Sequence, residues 1–170
     1  MKLAYKAIDY FLQNPSDLNL VALNKILTLG IPFNAPHGFK IKRIDDECVQ
    51  IDLPHKKLNQ NHLGGVHACA IATLGEFCAG LSILKHFGIS QYRLIMSELN
   101  AQYTYQARKH LTGKCIQHFD QEQVRKDLEA EGKSSQTLKT IIYDLDGQEV
   151  AVVTTTWQIK KWGLVRTKPL

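Results

Sequence analysis

The chain predicts an α+β fold in which one antiparallel six-stranded sheet is wrapped around a long central helix. Three observations predict it. The segment from about Val66 to His86 is apolar on nearly every side, which marks a helix buried all round rather than laid on a surface. Two segments before that helix and four after it carry the alternation with period two expected of strands. The 170 residues, 44% of them hydrophobic, contain no linker, repeat or low-complexity tract, so 1–170 is expected as a single domain with residues 1–36 as an N-terminal helical extension. One sheet curled around the helix is the simplest way to cover it.

The elements follow in order. Residues 3–12 form a short helix broken at Asn14-Pro15. Ser16 then stands as an N-cap, with Asp17 in the first turn, and the apolar positions Leu18, Val21, Leu23, Ile26 and Leu27 run on until Gly30 and Pro32 end the helix. Phe39–Ile44 and Val49–Leu53 alternate on either side of Asp45-Asp46-Glu47 and make an antiparallel pair. Pro54 to His62 is a polar loop, and the central helix after it stops at Gly88. One helix face is small (Cys69, Ala72, Thr73, Glu76, Ala79, Gly80) and lets another backbone approach closely; the opposite face (Ile71, Leu74, Cys78, Leu81) is bulkier. Arg93–Ala107 and Gly113–Phe119 read as strands, and Gln121–Ala130 as a charged helix ending near Gly132. Ser135–Tyr143 and Glu149–Ile159 form a hairpin around Asp144-Leu145-Asp146-Gly147, with a strongly β-forming run from Val150 to Trp157.

Charge and cysteine usage exclude several classes. The net charge of +5 is scattered over Lys56-Lys57, Arg108-Lys109, Lys160-Lys161 and Arg166/Lys168, with no basic helix and no aromatic-interleaved basic motif, so no nucleic-acid partner is expected. A few such residues at strand ends can hold the phosphates of a small ligand. Cys48, Cys69, Cys78 and Cys115 show no C-x-x-C pairing and read as small hydrophobes in a reducing, cytoplasmic setting. Asp9 and Lys6 interrupt what would be the apolar core of a signal peptide. The central helix is long enough to cross a bilayer but carries His67, Glu76 and Lys85, and no membrane span is expected. His55, His62 and His67 match no metal-site spacing, and neither a metal nor another cofactor is expected.

Glu76 is the residue to explain. Ala72, Thr73, Leu74, Gly75, Phe77, Cys78, Ala79 and Gly80 surround it in sequence, all small or apolar. A carboxylate placed there loses hydration, which costs free energy and raises its pKa toward the range of acid–base chemistry. The plain alternative is a buried acid held by a backbone N–H or by a lysine or arginine from a strand. Tyr103 and Tyr105 read as core residues on one strand face.

The stretch from Asn61 to Glu76 resembles the hotdog-fold acyl-CoA thioesterases, most closely the YiiD C-terminal-like, DUF4442-like branch. In the thioesterase pattern an Asn or Gln and a glycine precede a His-Gly-Gly at the helix start, and the catalytic acid lies nine residues after that His. Here Asn61, Gly64, His67 and Glu76 take those positions. The resemblance covers nearly the whole chain after residue 36, leaving the extra N-terminal helix as an addition. It implies Glu76 as general base or nucleophile, the Ala68 N–H as oxyanion donor, and Asn61 as a residue orienting water or Glu76. It places acyl-CoA against Gly64, Gly65, His67, Thr73 and Gly80. The departures are Ala68-Cys69 in place of the two glycines, and Gly80 where a helper Thr or Ser often stands.

Ala68 and Glu76 are eight residues apart, an axial rise of about 12 Å on one helix. No single thioester carbonyl reaches both from the same chain. A shared site therefore requires a homodimer or a dimer of dimers, as the resemblance also implies. Loss of the glycines and the helper hydroxyl keeps a second function open, a non-catalytic acyl-CoA or lipid-binding hotdog protein. A hotdog dehydratase fits less well, since no His and acid pair occupies the expected loop and helix.

Overall fold

A computed structural model describes residues 2–116 and 119–166. Four α-helices and six strands follow in the order α1 (Lys2–Gln13), α2 (Asp17–Gly30), β1 (Lys40–Ile44), β2 (Cys48–Leu53), α3 (Ala68–Phe87), β3 (Tyr92–Tyr103), β4 (Leu111–Ile116), α4 (Gln121–Ala130), β5 (Lys133–Asp144) and β6 (Glu149–Lys161). All strands pair antiparallel in one sheet of order β1-β2-β4-β5-β6-β3. The connection from β2 to β3 must therefore cross the sheet to its far edge, and α3 makes that crossing over the concave face.

The contact between helix and sheet depends on two glycines. A Cβ on Gly75 would lie 2.3 Å from the Val153 Cβ, so only glycine lets α3 come this close to β6. A Cβ on Gly113 of β4 would meet the Cys78 Sγ at 2.9 Å and the Leu74 Cγ at 3.0 Å. The Thr140 hydroxyl donates to the Gly75 carbonyl across the same gap at 3.0 Å. Leu74, Cys78, Ile83, Val153 and Ile159 are fully buried around this seam. By length and composition α3 could span a membrane, but here it is mostly buried in the fold, and Lys85 in its last turn reaches Asp46 at 3.1 Å.

The N-terminal extension is two helices, separated at the expected break at Asn14-Pro15. Ser16 caps α2, accepting from the Asn19 N–H at 3.3 Å. Asp9 pins α1 to the turn after α3, its carboxylate accepting from the backbone N–H groups of Ile89 (2.7 Å) and Ser90 (3.1 Å). Tyr5 stacks on Trp162, and Ile8 and Leu12 are buried.

Several strand boundaries differ from expectation by one or two residues, and the end of β3 by more. β3 ends at Tyr103 instead of Ala107, because the chain turns inward and the Ala107 carbonyl accepts from the Val66 N–H at 2.8 Å, just ahead of α3. β4 starts earlier, at Leu111, and is described to Ile116; residues 117–118 of the expected strand, like Lys168, lie outside the described residues.

Candidate active site

The loop before α3 is held by asparagines. Asn59, fully buried, donates through Nδ2 to the carbonyls of His37 and Pro54 (both 2.9 Å), while its own carbonyl accepts from the His67 N–H at 2.7 Å. This network fixes where α3 begins. In the sequence the polar run Asn59-Gln60-Asn61 is the one signal of this role. The Asn61 Oδ1 accepts from the N–H groups of Leu63 (2.9 Å) and Gly65 (3.2 Å), tying the turn. Its Nδ2 has no partner among the described residues and is the donor it can offer a ligand or water. Gly64 sits at φ +75, a conformation that favours glycine, and Gly65 packs against the Ala107 carbonyl.

His67 is the N-cap of α3, its Nδ1 accepting from the Cys69 N–H at 3.1 Å, so its ring serves the helix start. Ala68 is the first helical residue and is exposed. Its N–H is one of the orphan donors of the helix start and has no partner among the described residues. The Tyr103 hydroxyl donates to the Ala68 carbonyl at 3.0 Å and is 48% exposed; Tyr105 is 59% exposed and lies beyond the strand. Neither tyrosine is core: Tyr103 reaches the uncovered start of α3, and Tyr105 lies at the surface beside the turn between β5 and β6.

Glu76 lies one turn beyond Thr73 on the same helix. No hydrogen-bond donor or cation contacts its carboxylate among the described residues, and burial alone pushes its pKa up to about 7. The alternative of an acid held by a strand cation or backbone N–H is thus absent from its described surroundings. The carboxylate faces an apolar groove of about 680 Å³. Gly80 lines the same groove, and a Cβ there would sit 3.2 Å from the Trp157 ring, so the position where a helper hydroxyl often stands is backbone packed on an indole. The Thr73 hydroxyl donates back to the Cys69 carbonyl at 2.8 Å.

The structure thus places Ala68, Cys69, Ala72, Thr73 and Glu76 on the least covered side of α3, with Asn61, Gly64 and Gly65 in the loop before it. Cys69 is exposed there rather than buried, while Cys48, Cys78 and Cys115 are buried; all four are free thiols. Ala68 and Glu76 stay on one unbroken helix, so their axial separation of about 12 Å stands. Among the described residues no three His, Cys, Asp or Glu side chains come together to hold a metal ion.

Beside this face runs β3, an edge strand bonded only to β6. Its register against β6 slips between Met96 and Glu98. The slip leaves Met96 opposite Trp157 and Leu99, Ala101 and Tyr103 opposite Thr155, Val153 and Ala151, which are buried residues of β6. Residues opposite one another share a sheet face, so this bulge keeps the apolar side chains of β3 on the helix side. Met96 (37%) and Leu99 (38%) remain exposed there.

Residues 21–159 match the model of the domain of unknown function DUF4442. The chain belongs to the DUF4442 family. No curated protein is significantly similar to this DUF4442 chain. Among solved structures, a Pseudomonas aeruginosa protein of unknown function is 23% identical with a TM-score of 0.73, covering 83% of this chain and 95% of its own. A Staphylococcus aureus thioesterase is 20% identical with a TM-score of 0.65 (76% and 98%), and a Haemophilus influenzae thioesterase 13% identical with a TM-score of 0.67 (84% and 90%). At these identities the likeness concerns the fold, and this DUF4442 domain is a hotdog.

Proposed function

We propose that this protein is a homodimeric thioesterase that hydrolyses acyl-CoA to a free acid and CoA. The observation that carries the proposal is Glu76, a carboxylate without a partner among the described residues, on the open side of the central helix and lining an apolar groove. A general base works best with a pKa near the operating pH, which burial supplies here. Glu76 takes a proton from water as the water oxygen attacks the thioester carbonyl. The oxyanion forms against the Ala68 N–H at the positive end of α3, where free donors and the helix dipole favour negative charge. Collapse breaks the C–S bond, and the departing CoA thiolate takes the proton from Glu76.

The spacing of Ala68 and Glu76 requires the two groups to come from different subunits. The β3 edge supports that assembly. It is twelve residues long with its outer edge unpaired, and its apolar inner face is continuous with the open side of α3; such edges are templates for pairing with another chain. Pairing two β3 strands about a two-fold axis brings one α3 beside the other. The fold shared with thioesterases supports the reaction class. In the Staphylococcus aureus thioesterase the glutamine and the glutamate exchanged for alanine in two of its structures are fifteen residues apart, as are Asn61 and Glu76 here. The free thiols support a reducing, cytoplasmic setting.

Turnover of an acyl-CoA panel by the wild type and by Glu76→Gln tests the proposal. Hydrolysis lost in the variant supports it. Binding without hydrolysis by the wild type favours the second reading, an acyl-CoA-binding protein, which the packing of Gly80 against Trp157 keeps in view.

A further inference from the structure

The groove beside Glu76 is not made by the sheet and central helix alone. Its walls are Ile8 of α1, Leu27 and Gly30 of α2, Leu81 and Leu84 of α3 and Leu94 of β3, and its lining is aliphatic and aromatic, with Tyr5 and Trp157 carrying polar groups and Glu76 a carboxylate. Trp157, which also lines it, already donates its indole N–H to the Thr155 hydroxyl at 2.9 Å. The occupant this lining favours is therefore apolar along most of its length, with a polar end at Glu76. At about 680 Å³ the groove has the size of a small-molecule site. Helix α1 lies outside residues 21–159, the part shared with the family model, yet it is fastened in place by Asp9 on the Ile89 and Ser90 N–H groups and by Tyr5 stacked on Trp162. A helix held this firmly over a concave apolar surface, with one carboxylate at its side, forms a wall.

We propose that α1 and α2 form a selectivity wall that receives the straight alkyl chain of the substrate within one subunit, with the thioester end at Glu76, so that the enzyme prefers long unbranched acyl groups. The proposal rests on the thioesterase reading for the identity of the ester and on the groove for its length. Each CH2 buried contributes at most about 0.8 kcal/mol, or about fourfold in affinity, so preference rises with chain length until the groove is full.

Gly30 offers the clean perturbation. A Cβ there meets nothing within 4 Å, and the residue does not need a positive φ, so Gly30→Trp can project an indole into the groove without disturbing the core. Ala4→Phe narrows it independently from α1. The experiment measures kcat/KM for saturated acyl-CoAs from C4 to C16 with wild type and both variants, each verified as folded by thermal unfolding. It also measures calorimetric binding of hexyl- and dodecyl-CoA thioethers, which cannot be hydrolysed. The expected result is a wild-type preference that climbs with length and a C14-to-C4 ratio that falls at least tenfold in either folded variant. A length profile that is flat in the wild type, or a ratio untouched in both folded variants, overturns the wall while leaving hydrolysis intact. If no ester is hydrolysed but the dodecyl thioether binds at least tenfold more tightly than the hexyl, and Gly30→Trp abolishes that difference, the wall stands and the thioesterase reading falls.

Discussion

Where α3 faces β4, β5 and β6, its geometry is set by contact. Gly75 admits Val153, Gly113 admits Cys78 and Leu74, and the Thr140 hydroxyl closes the gap. Where it faces away, Cys69 is exposed, Ala72 and Thr73 are half-buried, and a carboxylate with no partner among the described residues sits among apolar neighbours. The first side gains stability from every atom. The second carries a charge that burial penalises and a row of side chains too small to cover themselves. A protein keeps such a side open when something else completes it; under the proposed function that is a second subunit and a substrate. Changes on the packed side should therefore alter stability without touching chemistry, and changes on the open side should do the reverse.

The largest contrast is expected at Glu76. Glu76→Gln should lower kcat at least 10²-fold, the usual contribution of a general base, measured with the best acyl-CoA of the panel. Wild-type activity should rise as pH passes through about 7, where Glu76 ionises. Stability should move the opposite way. A carboxyl whose pKa is 4.5 unfolded and about 7 folded binds its proton more readily in the native state, so stability is greatest below about 4.5 and falls as pH rises toward 7. At pH 8 the variant should be more stable than the wild type by up to about 3 kcal/mol, at about 1.4 kcal/mol per pKa unit. Thermal unfolding at pH 5 and pH 8 checks this, and equal wild-type-to-variant differences at both would sink the burial argument.

Next comes the edge strand. Leu99→Lys places a charge on the inner face of β3, where pairing would desolvate it. Sedimentation should show dimer giving way to monomer, and turnover should fall with it if the site is shared. An active monomer would refute the shared site. Ala68→Pro should cost about 10²-fold, the effect of one lost oxyanion donor, because proline is tolerated at the first helical position but has no N–H. Ala68→Gly keeps the donor and should hold activity. Equal rates from the two folded variants would move the oxyanion site elsewhere.

On the packed side, Gly75→Ala forces a Cβ into Val153, and overpacking of this kind costs about 1–3 kcal/mol. Chemical denaturation should show that loss, and kcat of the folded fraction should stay within a few-fold.

These two sides were unequally legible in the sequence. The central helix, the six strands and Glu76 could be read locally, because apolar periodicity and a lone carboxylate need no knowledge of neighbours. What depended on contacts distant in sequence was not legible. The closeness of Gly75 to Val153 joins residues 78 apart in sequence, and the groove joins α1 to β3. The position of β3 at the edge, and the slip at Ser97 that keeps Leu99 and Tyr103 on the helix side, depend on pairing with β6. Cys69, Tyr103 and Tyr105 have the small or aromatic character of core residues, yet all three are exposed: Cys69 and Tyr103 at the uncovered start of α3, Tyr105 beyond the end of β3. The role of Asn59 lies in hydrogen bonds made across a loop, which leave no local pattern in the sequence.

The smallest effect is expected at Thr73, which sits among the open-side residues but differs from Glu76 in having a partner. Its hydroxyl proton is committed to the Cys69 carbonyl one turn back, at 2.8 Å. Thr73→Val keeps the shape and removes only the hydroxyl. The helix loses a side-chain bond that Ser and Thr commonly make without stabilising a helix, and the Cys69 carbonyl keeps its place in the helical ladder. The variant should therefore unfold within a few degrees of the wild type and retain kcat/KM within about threefold, since no donor aimed at substrate has been lost. A drop of 10²-fold would mean that the hydroxyl turns from Cys69 to the oxyanion once substrate is bound. Thr73 would then take the role of the helper hydroxyl missing at Gly80, and the open side of α3 would hold two catalytic groups three residues apart.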